Sequence, residues 1–105
     1  MRSYEVIVQP RADREIRHAH RCLASTAPAA AERWLNGVSN AVLSLEEMPH
    51  RCPLAPEAEH VGKRVRQLVY DRYRILYIVT GRHVRVLTVR HMSRPPLRRR
   101  KPPPD

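Results

Sequence analysis

Residues 66–94, RQLVYDRYRILYIVTGRHVRVLTVRHMSR, constrain the fold more than any other part of this chain. They fall into short segments rich in Val, Ile, Leu and Tyr, separated by pairs of turn residues. That pattern predicts strands at Val65–Tyr70, Tyr73–Thr80 and His83–His91. Asp71–Arg72 makes the first tight connection. Gly81–Arg82 makes the second, with Gly at the first central position that a type II′ turn favours. Two-residue connections force the strands they join to run antiparallel.

An ordinary half-buried sheet alternates apolar residues with mixed polar ones. Here the polar partners are nearly all cationic. From Val61 to Asp105 there are thirteen Lys/Arg against two acids, Asp71 and Asp105, whereas the first sixty residues carry seven Arg against eight acids. The formal excess of +10 therefore sits in the second half. A rigid sheet carrying that charge suits an anionic partner: nucleic acid, a ribosome or an acidic protein segment.

At 105 residues the chain is one domain with a single modest core. With one Trp, four Tyr and no Phe, aliphatic side chains must build that core. No apolar run approaches the ~18 residues of a membrane span. The N-terminus lacks the apolar stretch of a signal peptide and runs directly into a strand, so a cytoplasmic location is expected. In that reducing compartment Cys22 and Cys52 are expected as free thiols.

Upstream, Tyr4–Gln9 reads as a first strand ended by Pro10. Ala12, Ile16, Ala19 and Leu23 recur at helical spacing and predict a helix over Arg11–Leu23. Ser25, Thr26 and Pro28 mark a break and a restart. Ala31, Trp34, Leu35, Val38, Ala41, Val42 and Leu45 form the apolar stripe of a second helix, closed by Pro49. Gly37 interrupts that stripe and marks a close approach, read as helix against helix. Pro49–Gly62, with Pro49, Pro53 and Pro56, reads as a loop. Beyond Met92 the sequence SRPPLRRRKPPPD predicts a flexible basic tail. The domain is thus expected to span residues 1–92 and the tail residues 93–105.

The predicted class is α+β: an N-terminal strand, a helical hairpin, then three antiparallel strands in a twisted sheet with the helices on one face. The other face, lined with arginines, is expected to be concave and wet.

Several residues could carry chemistry. Arg66, Arg74 and Arg94 each offer a forked donor pair to phosphate, and His91 is an acid/base with a pKa near neutrality. Each also has a structural reading. Arg74 could pair with Asp71 or Glu57 to hold sheet to loop, and His91 could simply face solvent. His18 and Cys22 share a helical face, but no second His/Cys pair at ligand spacing follows, so no metal site and no cofactor are expected. The strand tyrosines read as packing residues rather than base-stacking platforms. Arg98–Lys101 reads as a solvated tail, although such tails also bind nucleic acid through counterion release.

The element order, together with Arg66-Gln67-Leu68, Tyr73-Arg74-Ile75-Leu76-Tyr77, the strand Val84–His91 with Arg94, and Pro53-Leu54-Ala55-Pro56-Glu57 after the second helix, resembles the RelE/ParE superfamily. These are toxins of bacterial type II toxin–antitoxin modules, and the resemblance covers about residues 3–94. It implies a growth-inhibiting toxin neutralised by a cognate acidic antitoxin in a hetero-oligomer. The superfamily holds activities on two targets: RelE-like members cut mRNA in the ribosomal A site, and ParE-like members poison DNA gyrase. By resemblance to the nucleases, Arg74, His91 and Arg94 would be catalytic, with Arg64 or Arg66 in place of strand lysines. This chain departs from the nucleases where they carry a C-terminal tyrosine. No tyrosine follows Tyr77, and the ending His91-Met92-Ser93-Arg94 is nearer the ParE-like strand. Gyrase inhibition is therefore the preferred expectation and ribosome-dependent mRNA cleavage the alternative. In either case Arg64, Arg66, Arg74, Arg90 and Arg94 are candidates for contacting target or nucleic acid. A non-toxic basic nucleic-acid-binding domain is a second alternative.

Overall fold

The computed structural model describes residues 3–96. The part of the basic tail at 97–105, including Arg98–Lys101, lies outside the described residues. The elements are β1 (Glu5–Val8), α1 (Pro10–Ala24), α2 (Pro28–Leu43), a short helical turn α3 (Ala58–Val61), β2 (Arg66–Tyr70), β3 (Tyr73–Thr80) and β4 (His83–His91). Single 3₁₀ turns at Ser44–Glu46 and Pro49–Arg51 extend α2 and punctuate the loop after it. That loop is thus more structured than the proline content of Pro49–Gly62 predicted.

Each long helix begins with proline at its first position, where the missing N–H costs nothing and the ring pre-sets φ. The apolar stripe of α2 is buried at Ala31, Trp34, Val38 and Val42. Gly37 lies against Tyr70 of β2, not against α1: a Cβ built there would overlap the Tyr70 phenol oxygen. The close approach read from the sequence is real, but its partner is the sheet.

The sheet order is β1-β4-β3-β2. The β2–β3 and β3–β4 pairs are antiparallel, as the short connections require. Gly81 has φ 59° and Asp71, at the other hairpin, φ 54°. β1 pairs in parallel with β4, Glu5 opposite His83 and Val8 opposite Val86. The helical hairpin and the loop after it carry the chain from β1 at one edge of the sheet to β2 at the other, the crossover that parallel strands require.

Ile75, Tyr77, Val84, Val86 and Val89 face the helices and form the main core with Trp34, Val38, Val42 and Leu45. The Tyr77 hydroxyl donates to the Pro49 carbonyl at 2.6 Å, tying the loop after α2 to the sheet centre. Burial and the neighbouring Cys52 push the Tyr77 phenol above its ordinary value.

The opposite face differs from the expectation of a wet, concave surface. The segment Pro53–Val65 folds back across it. Leu54 bridges Arg66, Ala55 N donates to Val65 O, and Gln67 N donates to Pro53 O. Ala55, Val65 and Leu76 make a second buried cluster, flanked by Ile78 and Leu87. Two of the arginines expected to line that face, Arg74 and Arg90, are buried. A guanidinium can be buried if carboxylates and carbonyls take its donors, and the covering loop supplies some of them.

Candidate functional site

The basic residues gather around β4, which runs beside α1, and the part of β3 paired with it. Opposite β1, β4 is paired only as far as Val86. A bulge follows, with Leu76 opposite Thr88 but Tyr77 opposite Val86. Bulges disrupt the ladder and re-aim side chains. Here α1 covers the strand: Glu15 accepts from Thr88 Oγ1 at 2.6 Å and from Val89 N at 3.1 Å. Its second oxygen lies 3.6 Å from Arg11 Nε.

Arg74 and Arg90 are direct cross-strand partners and therefore share a face. Like charges placed so are unfavourable unless compensated. Arg74 is compensated. Its two terminal nitrogens meet both Glu57 oxygens at 2.9 and 2.8 Å, and Nη1 also donates to Gln67 at 3.1 Å. The hydrogen bond to Glu57, against the opposing effect of burial, raises the Arg74 value. Glu57 is 1% exposed, so this is a buried ion pair.

Arg90 is only 4% exposed and has no such partner. Nη2 donates to the Pro95 carbonyl at 2.9 Å, while Nε and Nη1 are buried with no acceptor among the described residues. Burial first, then the charges of Arg94, Arg11 and Arg74, pull its value below the ordinary one, with Glu15 opposing. An arginine still remains protonated at neutral pH.

The other candidates divide. Arg66 is half-buried and donates to the Cys52 carbonyl at 2.6 Å, so it also fastens the loop. Arg64 and Arg94 are exposed. His91 is half-buried, edge-on to Tyr73 at 5.1 Å. Ser93 N donates to His91 Nδ1 at 3.0 Å, which makes Nδ1 the acceptor and leaves the neutral ring's proton on Nε2. Burial, then Asp71 and Cys22, raise the Tyr73 phenol.

His91 and Arg94 open onto a groove of about 670 Å³ between α1 and β4, with Arg11, Arg14, His18 and Cys22 on its far wall. Cys22 Sγ and His18 Nε2 are 3.5 Å apart. Among the described residues no group of three metal-ligating side chains assembles. The structure therefore brings His91 and Arg94 together. It places Arg74 and Arg90 under cover and leaves Arg64 outside the groove lining. Arg11, Arg14 and Glu15 were not singled out in the sequence. Their signal was a second, polar stripe along α1 that continues through His18 to Cys22.

The chain matches the family model of the ParE toxin of type II toxin–antitoxin systems, parDE, over residues 6–96. It belongs to that family, as the resemblance to the RelE/ParE superfamily implied. It is the toxin component of a type II toxin–antitoxin module. Among solved structures it is similar to a chain of the chromosomal ParDE system from P. aeruginosa. That match has a TM-score of 0.71 at 14% identity and covers 85% of this chain and 96% of that one. The likeness establishes a shared fold. No curated protein sequence matches. No helix among the described residues is long and apolar enough to cross a membrane.

Proposed function

We propose that this toxin acts in the cytoplasm by inhibiting DNA gyrase and is held inactive by an acidic antitoxin. The observation that carries the choice of target is the state of Arg74. A nuclease acting through the RNA 2′-hydroxyl needs cationic donors free to meet the phosphorane, with an acid and a base beside them. Both ends of the Arg74 fork are spent on buried Glu57, so the arginine that the nuclease reading needs is an internal strut. The phenol of Tyr77, the last tyrosine in the sequence, is likewise spent on the Pro49 carbonyl. Gyrase inhibition needs a folded basic scaffold and a surface, and no acid/base pair. The exposed groove with Arg11, Arg14 and Arg94 offers such a surface.

The test uses purified toxin in two assays. In one, gyrase supercoils relaxed plasmid. In the other, ribosomes carry a defined codon in the A site. Inhibited supercoiling with intact mRNA supports the proposal. Cut mRNA, with cutting abolished in His91→Ala, replaces it with the nuclease reading.

A further inference from the structure

Arg90 is the least completed polar group among the described residues. The Nε and Nη2 nitrogens of a guanidinium form its side-on fork, spaced for the two oxygens of one carboxylate. In Arg90 one tooth of that fork, Nη2, is held by the neutral carbonyl of Pro95, and the other, Nε, is empty. The fork is therefore half-filled by a backbone oxygen from the segment that crosses it.

The local acids are already engaged. Glu57 is taken by Arg74, and Glu15 by Thr88, Val89 and Arg11. Arg94, Arg11 and Arg74 act on Arg90 with like charge and Glu15 opposes them, so the cations outnumber the acid around the site. A buried cation with open donors is costly unless something that binds the folded protein completes it.

We infer that Arg90 is a recessed oxyanion site that takes one carboxylate from an acidic side chain of the antitoxin, the Pro95 carbonyl giving way to it. This rests on the toxin reading above and deepens it by assigning a point of antitoxin recognition. One carboxylate oxygen would take Nε and the other would replace Pro95 at Nη2. A carboxylate fits better than a phosphodiester for a steric reason. An Asp or Glu side chain projects from its backbone and can reach a guanidinium that is 4% exposed. A phosphodiester is itself the backbone and would have to bring a strand into the recess. The segment after β4 that must release Nη2 is held by Arg90 itself, by Arg94 N to His91 O and, at its start, by Met92 N to Arg72 O.

The experiment has two arms, both on the full chain. In the first, the Nε–H resonance of Arg90, assigned by its loss in Arg90→Lys, is followed while sodium acetate replaces sodium chloride at constant ionic strength. A saturable shift is expected. No shift overturns the site. In the second, the cognate antitoxin and a duplex DNA are each titrated against wild-type toxin and Arg90→Lys. Lysine keeps the charge and loses the fork. Antitoxin affinity is expected to fall roughly 30-fold or more, as when one partner of a buried charge pair is truncated, with DNA affinity retained. Equal antitoxin affinity in the two proteins overturns the inference. Loss of DNA affinity with antitoxin affinity intact overturns the carboxylate and assigns the site to phosphate. If Arg90→Lys does not fold, wild-type toxin is titrated with antitoxin in acetate and in chloride. Competition by acetate is the expected result, and its absence is the refutation. If wild-type toxin does not bind the antitoxin at all, it is the toxin reading that fails, and the acetate shift decides the oxyanion site separately.

Discussion

The two faces of the sheet are buried by different means. On the helix side, Ile75, Tyr77, Val84 and Val86 meet the apolar stripe of α2, and the buried side chains are nearly all apolar. The Trp34 indole Nε1 there is a buried donor that has no acceptor among the described residues. On the other side, a loop with little periodicity covers Leu76 and Val65 alongside the Arg74–Glu57 pair and the half-satisfied Arg90. The first face is stabilised by area removed from water. The second is held in register by charge, and a buried pair contributes little net stability while making the loss of either partner severe. The helix face thus makes the fold stable. The loop face fixes where the loop and the cationic side chains sit.

The largest expected effect separates these mechanisms. Glu57→Ala leaves Arg74 buried without its carboxylate and should cost about 3–5 kcal/mol, read as the shift in the urea midpoint. Adding Arg74→Met should recover most of that loss. A variant that loses under 1 kcal/mol would mean the pair is solvated and the faces are alike.

On the helix face, Ile75→Ala should cost about 3 kcal/mol, since Ile75 is fully buried and its truncation leaves a cavity. No single second-site substitution should restore it, because a cavity, unlike a stranded charge, is not removed by deleting a partner.

Tyr77→Phe should cost about 1–2 kcal/mol at neutral pH through the loss of the bond to Pro49. Its pH signature is more specific. The folded value of the phenol lies above the ordinary 10.0. Its contribution is therefore complete below pH 10 and is lost as pH rises from there through the folded value. Wild-type stability should fall above about pH 10, and Tyr77→Phe should fall less steeply. Tyr73, raised in the same direction, leaves a residual slope. Parallel curves would contradict the burial assigned to Tyr77.

Gly37→Ala is the mildest test. The new methyl overlaps the Tyr70 hydroxyl and the ring carbon that bears it, so the end of the phenol ring must shift. Overpacking of about 1–3 kcal/mol is offset by a helix-propensity gain of about 1 kcal/mol. Thermal unfolding should show a small net loss, and Gly37→Ala/Tyr70→Phe should show less.

The helix face was the legible one. The stripe Ala31–Leu45 and the strands Tyr73–Thr80 and His83–His91 announced themselves by period, and the hairpins by turn residues. The α+β class and the toxin family followed from those parts in order. The loop face was not legible, because Pro53–Val65 buries isolated residues, Ala55, Glu57 and Val65, that no period connects. An arginine on a strand reads the same whether it meets water or a carboxylate seventeen positions away. Glu57 could be named as one possible partner of Arg74, yet choosing it over Asp71 required the path of the loop. The parallel pairing of β1 with β4 and the choice of Tyr70 as the neighbour of Gly37 are tertiary facts of the same kind. The groove shows the same limit. His91 and Arg94 were visible at the end of a strand, whereas Arg11 and Arg14 gain meaning only when α1 lies beside it.

The central claim is that Arg74 is a strut and not a reacting group. The most direct measurement is growth inhibition by Arg74→Met/Glu57→Leu, which replaces the pair with apolar residues of similar size, an exchange that is often neutral or stabilising. The double variant should fold, bind the antitoxin and arrest growth as wild type does. A double variant that unfolds at the wild-type temperature and binds the antitoxin, yet no longer arrests growth, would return Arg74 to the chemistry.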